Sequence, residues 1–168
     1  MSRVPLWTNS VNKRNAWPSK GSVYLAHCWE IPDMVKVGVT ERTTITKRMK
    51  ELSSKMTGYP VKLYFAIDYI PFSWATEQEA HRLLWKKRIV FPKGHKMGTE
   101  WKVCRSDEEL QEIVDAITQA AFNVRFYAIS NGCWPEWAKP LLIDMRGGKI
   151  VKRPIFTKDN SPGVKISA

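Results

Sequence analysis

The sequence predicts a mixed α/β (α+β) fold, a small and mostly antiparallel sheet flanked by helices. Three observations carry that expectation. Short blocks of apolar and β-branched residues over 22–28, 34–39, 61–70 and 99–104 read as strands, whereas apolar residues recur every three or four positions over 40–58, 74–89 and 106–122. The two patterns interleave in the order β-β-α-β-α-β-α, which suits a sheet with helices packed on it. At 168 residues the chain is long enough for one domain with short extensions and too short for two.

Residues 1–21 mix Pro, Asn, Ser and basic side chains with Trp7 and Trp17, and read as a basic arm with aromatic anchor points. Two strands follow, at about 22–28 and 34–39, with "EIPD" as the turn. "TERTTITKRMKELSSKMTG" opens with capping threonines and closes at Gly58. Ile45, Met49, Leu52 and Met56 recur along it at helical spacing, so it is an amphipathic helix with that stripe inward. Arg48 falls beside the stripe, and Glu51 and Lys55 are spaced for an i,i+4 ion pair. "VKLYFAIDYI" is rich in β-formers and reads as the third strand. Pro71 and Ser73 introduce a second helix, "WATEQEAHRLLWKKRI", with Glu77, His81, Leu84 and Arg88 along one side.

A Gly-, Pro- and Lys-rich loop, "FPKGHKMG", leads to a short strand, "TEWKVC". "SDEELQEIVDAITQAAF" starts with a capping box from Ser106 to Glu109 and carries acids in its first turn, which marks a helix. Beyond it lie a strand at "VRFYAI", an irregular "NGCWPEWAKP" and a basic tail. Trp29, Trp74, Trp85 and Trp101 are expected in core or edge packing. The predicted organisation is a basic N-terminal arm (1–21), a central domain (22–104), an acidic helical extension (105–144) and a basic C-terminal tail (145–168).

A composition of 43% hydrophobic and 26% charged residues is that of a globular chain. No apolar run approaches the roughly 20 residues that span a bilayer, and no basic amphipathic helix is evident, so a membrane is not the expected partner. No apolar segment follows the N-terminal basic residues as in a secretory signal, and the expected location is the cytoplasm. Cys28, Cys104 and Cys133 are odd in number and contain no C-x-x-C, which argues against a disulfide framework and a structural zinc site. No glycine-rich nucleotide-cradling motif is present.

The net charge is +11, and its distribution is uneven. Residues 1–21 carry +4, 22–104 carry +6, 105–144 carry −4 and 145–168 carry +5. A basic chain with one acidic insert points to a polyanionic partner, nucleic acid first.

The chemistry-bearing residues come in a definite order. Val23-Tyr24 lies on the first strand, Lys36-Val37-Gly38 on the second, Arg48 on the first helix, and Glu77 and His81 on the second, with Glu100-Trp101 later. This ordered set resembles the GIY-YIG nuclease superfamily, in particular its phage-associated branch whose second triplet reads K-I-G. Ser22-Val23-Tyr24 stands where G-I-Y stands and Lys36-Val37-Gly38 where Y-I-G stands. "TKRMKEL" matches the helix-borne arginine, "TEQEAH" the branch's E-x-x-x-H, and "TEW" its E-W pair. The resemblance covers about residues 21–104. Ser22 departs from the first Gly, and Lys36 replaces a tyrosine.

The resemblance implies a metal-dependent DNA endonuclease or nickase with Tyr24 as general base. The residues suit that chemistry. Glu77 is a carboxylate able to hold Mg²⁺, or Mn²⁺ in its place, as the single protein ligand of a well-hydrated ion. Arg48 can clamp two phosphate oxygens with its planar fork. A phenol with an ordinary pKa near 10 becomes a base more readily beside cations. Lys36 either provides that field, contacts the phosphate, or positions the water. His81 orients Glu77, contacts phosphate, or sits on the surface. Arg42, Lys47, Lys149, Lys152 and Arg153 are the candidate DNA contacts, with double-stranded DNA the expected partner. A single site implies paired copies, as in a homodimer on DNA, or sequential nicks to break a duplex. The alternatives are a DNA-binding or host-directed module on a silent nuclease fold, and a phage assembly protein.

Overall fold

The structure is a computed structural model and describes residues 4–11, 20–41, 43–89 and 100–157. Its centre is a six-stranded antiparallel sheet. The strands are β1 (Lys20–Cys28), β2 (Ile31–Thr40), β3 (Lys62–Pro71), β4 (Trp101–Val103), β5 (Leu141–Asp144) and β6 (Val151–Pro154). They lie in the order β4-β2-β1-β3-β5-β6, so β1 and β3 are central. Among the described residues four α-helices accompany them: α1 (Thr8–Val11), α2 (Ile45–Glu51), α3 (Ser73–Leu83) and α4 (Asp107–Ser130).

Alternation along the strands divides the side chains between two faces. On one face Val23, Leu25, Val35, Val37, Phe65 and Ile67 form the larger core with Ala80 and Leu84, and with Ile113, Ile117 and Ala121 of α4. On the other, Tyr24, Ala26, Ala66 and Ile143 pack with Met49 and Leu52 of the α2 region. A third cluster docks the N-terminal segment: Trp7 and Val11 lie against Phe72, Ala75, Val124 and Ala128. Trp7 also donates from its indole to the fully buried Glu79, which is further held by Arg82 and Asn123. The arm's aromatic anchor is thus part of the core, while Trp17 lies outside the described residues.

Several expectations change. The first turn is Trp29-Glu30 rather than residues 30–33, because β2 begins at Ile31 and Cys28 pairs with it across a bulge. The first helix begins later than expected, with Thr44 as its cap, and passes into a π-helical stretch over Leu52–Thr57 that ends at Gly58 in the left-handed conformation. The second helix ends at Leu83, and Arg88 instead stacks on Trp85 with its guanidinium carbon 3.9 Å from the ring centre. Val124–Ile129 is not a strand. It completes α4, since Val124 and Ala128 face the N-terminal segment at helical spacing and tertiary packing outweighs their β-propensity. The region read as a basic tail contributes β6, and β5 arises from "LLID". Of the four tryptophans expected to pack, only Trp101 is buried; Trp29, Trp74 and Trp85 are 73%, 45% and 61% exposed.

Candidate active site

Tyr24 sits mid-strand in β1, directly opposite Gly38 of β2, and is completely buried. The pairing explains the glycine. A Cβ at Gly38 would come within 2.5 Å of the Tyr24 ring carbon that bears the hydroxyl, so the ring lies where any side chain would be. Gly21 is comparably constrained, since a Cβ there would meet the Thr40 carbonyl oxygen at 2.6 Å.

Arg48 reaches this face from α2. Its Nε–H donates to the Tyr24 hydroxyl oxygen at 3.3 Å, and its Nη1 donates to Glu51 at 3.2 Å. Lys36 occupies the same sheet face as Gly38, two residues earlier on β2. A strand lysine is ordinarily turned to solvent, but this one is 1% exposed and donates from Nζ to Glu100 Oε2 at 2.5 Å. Glu77 comes from α3, is 3% exposed, and accepts from the Gln78 amide at 2.9 Å. His81 Nε2 stands 3.8 Å from Glu77 Oε1, beyond hydrogen-bond length, and both of its ring nitrogens lack a hydrogen-bond partner among the described residues.

The electrostatics follow from burial. Desolvation pushes the Tyr24 phenol up to about 12, against the opposing effect of the Arg48 contact; Glu100 and Glu77 raise it further. Burial and then the Glu100 charge lift Glu77 to about 7, while Lys36 and Lys102 pull the other way. Burial and Lys102 lower His81 to about 4, so it is neutral at pH 7. Lys102, 2% exposed on β4, is lowered by its own burial to about 8.

The structure therefore brings Tyr24 and Arg48 into contact and places Lys36, Glu77, His81, Glu100 and Lys102 within electrostatic reach of one another. The cation touching Tyr24 is Arg48, whereas Lys36 is held by Glu100. Lys47, Lys149, Lys152 and Arg153 are exposed and outside this cluster. Arg42 lies outside the described residues. Sequence reasoning missed Lys102, although its pattern was available: it interrupts an apolar pair, Trp101 and Val103, as Lys36 interrupts Val35 and Val37.

No group of three His, Cys, Asp or Glu able to hold a metal occurs among the described residues. A hard, hydrated dication held by one carboxylate does fit Glu77. Its carboxylate is buried and accepts from the Gln78 amide, and burial together with the Glu100 charge holds its pKa up, which a bound dication would offset.

A family model described as the T5orf172 domain matches residues 21–118, from the start of β1 into α4 and more than half of the chain. No curated protein and no solved structure matches.

Proposed function

The chain belongs to the T5orf172 domain family, a phage-associated nuclease-like family, and from that premise we propose that it is a metal-dependent endonuclease or nickase of the GIY-YIG type acting on DNA. The observation that carries the reading is a buried phenol in contact with Arg48 beside a buried carboxylate within the field of Lys36 and Lys102. Burying ionisable groups costs stability, and such perturbed groups cluster at functional sites.

In this reading Arg48 keeps its Nε–H on the Tyr24 oxygen and turns the N–H groups not engaged by Glu51 to the scissile phosphate, bringing phosphate and phenol together. Removing such a contact typically costs about 10²–10³ in rate. The phenolate form of Tyr24, scarce at neutral pH, takes a proton from the attacking water as the water oxygen bonds to phosphorus and the bond from phosphorus to the leaving oxygen breaks. The small phenolate fraction makes that step favour alkaline pH. Lys36, held by Glu100, and the neighbouring Lys102 offset negative charge developing at the phosphate. His81 is neutral and beside Glu77, which suits it to orient the carboxylate. Glu77 would hold Mg²⁺ or Mn²⁺; when bound, the ion supplies positive charge against the phosphate and its leaving oxygen.

The test is cleavage of supercoiled plasmid with Mg²⁺ or Mn²⁺. Wild type is expected to yield nicked or linear product, and Glu77→Ala none. Wild type inactive under several metals, or a variant as active as wild type, refutes the assignment. A second reading, a DNA-binding module with a silent site, is favoured by the high pKa of Tyr24, which leaves little phenolate to act as a base at neutral pH. It predicts duplex binding, unchanged in Glu77→Ala, with no product.

A further inference from the structure

The β5–β6 hairpin lies outside the family match, which ends at residue 118, yet it extends the same sheet. Its register places its side chains. Lys152 pairs with Ile143, Ile143 with Ala66, Ala66 with Tyr24, and Tyr24 with Gly38. Directly paired residues share a face, so Lys152 stands in the Tyr24 row, three strand spacings away, or about 14 Å. That separation is roughly four base-pair steps of a duplex at about 3.4 Å each.

Arg153, one residue on, belongs to the opposite face. It pairs with Leu142, Leu142 with Ile67 and Ile67 with Val23, the row packed beneath α4. The hollows on either side agree with this division. Lys152 and Ile150 line a groove of about 500 Å³ with Lys20, Ser22, Thr44 and Met145, beside the Tyr24 row. Lys149 and Val151 instead line a hollow on the α4 side with Asp107, Gln111 and Arg146.

Each hollow is lined by two basic and two acidic side chains, and the sides differ in what surrounds those linings. The α4 side presents Asp107, Glu108 and Glu109 in that helix's first turn, which repels phosphate. On the groove side Lys152 is exposed, and Lys20 stands over the Tyr69 ring, 5.0 Å from its centre. The groove's own carboxylates are engaged: Asp68 accepts from Ser22 and from the Tyr69 amide, and Glu41 accepts from Ser73.

Building on the nuclease reading above, we propose that the β5–β6 hairpin is a backbone-contacting extension of the active face. Lys152, with Lys20 across the groove, holds duplex DNA phosphates a few base pairs from Tyr24. Lys149 and Arg153, which the sequence places alongside Lys152, face away from the DNA.

Binding of a short fluorescent duplex by Glu77→Gln protein in EDTA, followed by anisotropy over a salt series, separates these assignments from cleavage. Adding Lys152→Ala or Lys20→Ala is expected to raise Kd several-fold. Each also flattens the dependence of log K on log salt by about 0.9, the loss of one phosphate contact. Lys152→Arg restores both, and Lys149→Ala and Arg153→Ala change Kd less than twofold. An equal effect of Arg153→Ala and Lys152→Ala, or no effect of Lys152→Ala on Kd and slope, overturns the inference. If wild type still cleaves plasmid in that case, the nuclease reading survives it. Absence of duplex binding by the parent together with absence of cleavage by wild type overturns both.

Discussion

Replacing Glu77 by Gln removes the buried charge while keeping the side chain's shape, and its consequence for stability has a definite sign. The carboxyl is raised from its ordinary 4.5 to about 7 in the folded protein. Between those values the folded state binds more protons at this position than the unfolded state. Its contribution therefore falls as pH rises through that window and is least favourable above it. A rise of that size corresponds to roughly 3 kcal/mol at about 1.36 kcal/mol per pH unit. With Glu77 only 3% exposed, solvent screening takes little from that figure. In EDTA above pH 7, Glu77→Gln is expected to be the more stable protein by up to about 3 kcal/mol. That is roughly 6–12 °C in Tm for a chain of this size. The advantage should shrink towards zero as pH falls below the ordinary carboxyl range. Thermal and urea unfolding followed by circular dichroism over that pH range measures it. A Gln variant no more stable at alkaline pH, or stabilised equally in acid, would refute the reasoning.

Three further outcomes follow from the same geometry. With Tyr24 near 12, its phenolate fraction grows tenfold per pH unit over the working range, so wild-type cleavage should keep rising above pH 8. Tyr24→Phe should be slow and flat there, and a flat wild-type profile would argue against Tyr24 as base. Gly38→Ala puts a methyl against the Tyr24 ring and should cost about 1–3 kcal/mol by overpacking, with loss of cleavage. The stability cost should shrink in a Tyr24→Leu background, which a double-mutant cycle reads directly. Lys102→Met removes a cation that favours ionised Glu77, so the acid limb of the pH–rate profile should move to higher pH. An unchanged limb would show that Lys102 does not act on Glu77.

Much of this arrangement was legible in the residues. Val23-Tyr24 and Lys36-Val37-Gly38 identify two strands whose antiparallel pairing brings Tyr24 opposite Gly38, and the Ser106 capping box marks the start of α4. Other features were hidden because they depend on partners distant in sequence. The burial of Trp7 depends on Glu79 and α4, and Val124–Ile129 is helical because its partners lie on α1 and α3. The burial of Lys36 likewise depends on Glu100, 64 positions away, as its counter-ion. The hairpin illustrates the limit well. Lys149, Lys152 and Arg153 are equivalent as a basic cluster; strand register separates Lys152 from Arg153, and the hollow it lines separates Lys149 from Lys152.

The central claim is that Tyr24 and Glu77 belong to one metal-dependent hydrolytic site. Its most direct test is single-turnover cleavage of a labelled duplex, with protein in excess and Mg²⁺ present, by wild type, Tyr24→Phe and Glu77→Gln. All three should bind the duplex alike, only wild type should release product at an appreciable rate, and chelating the metal should stop it. Product formed equally by the two variants, or by none of the three while the duplex is bound, would contradict the account.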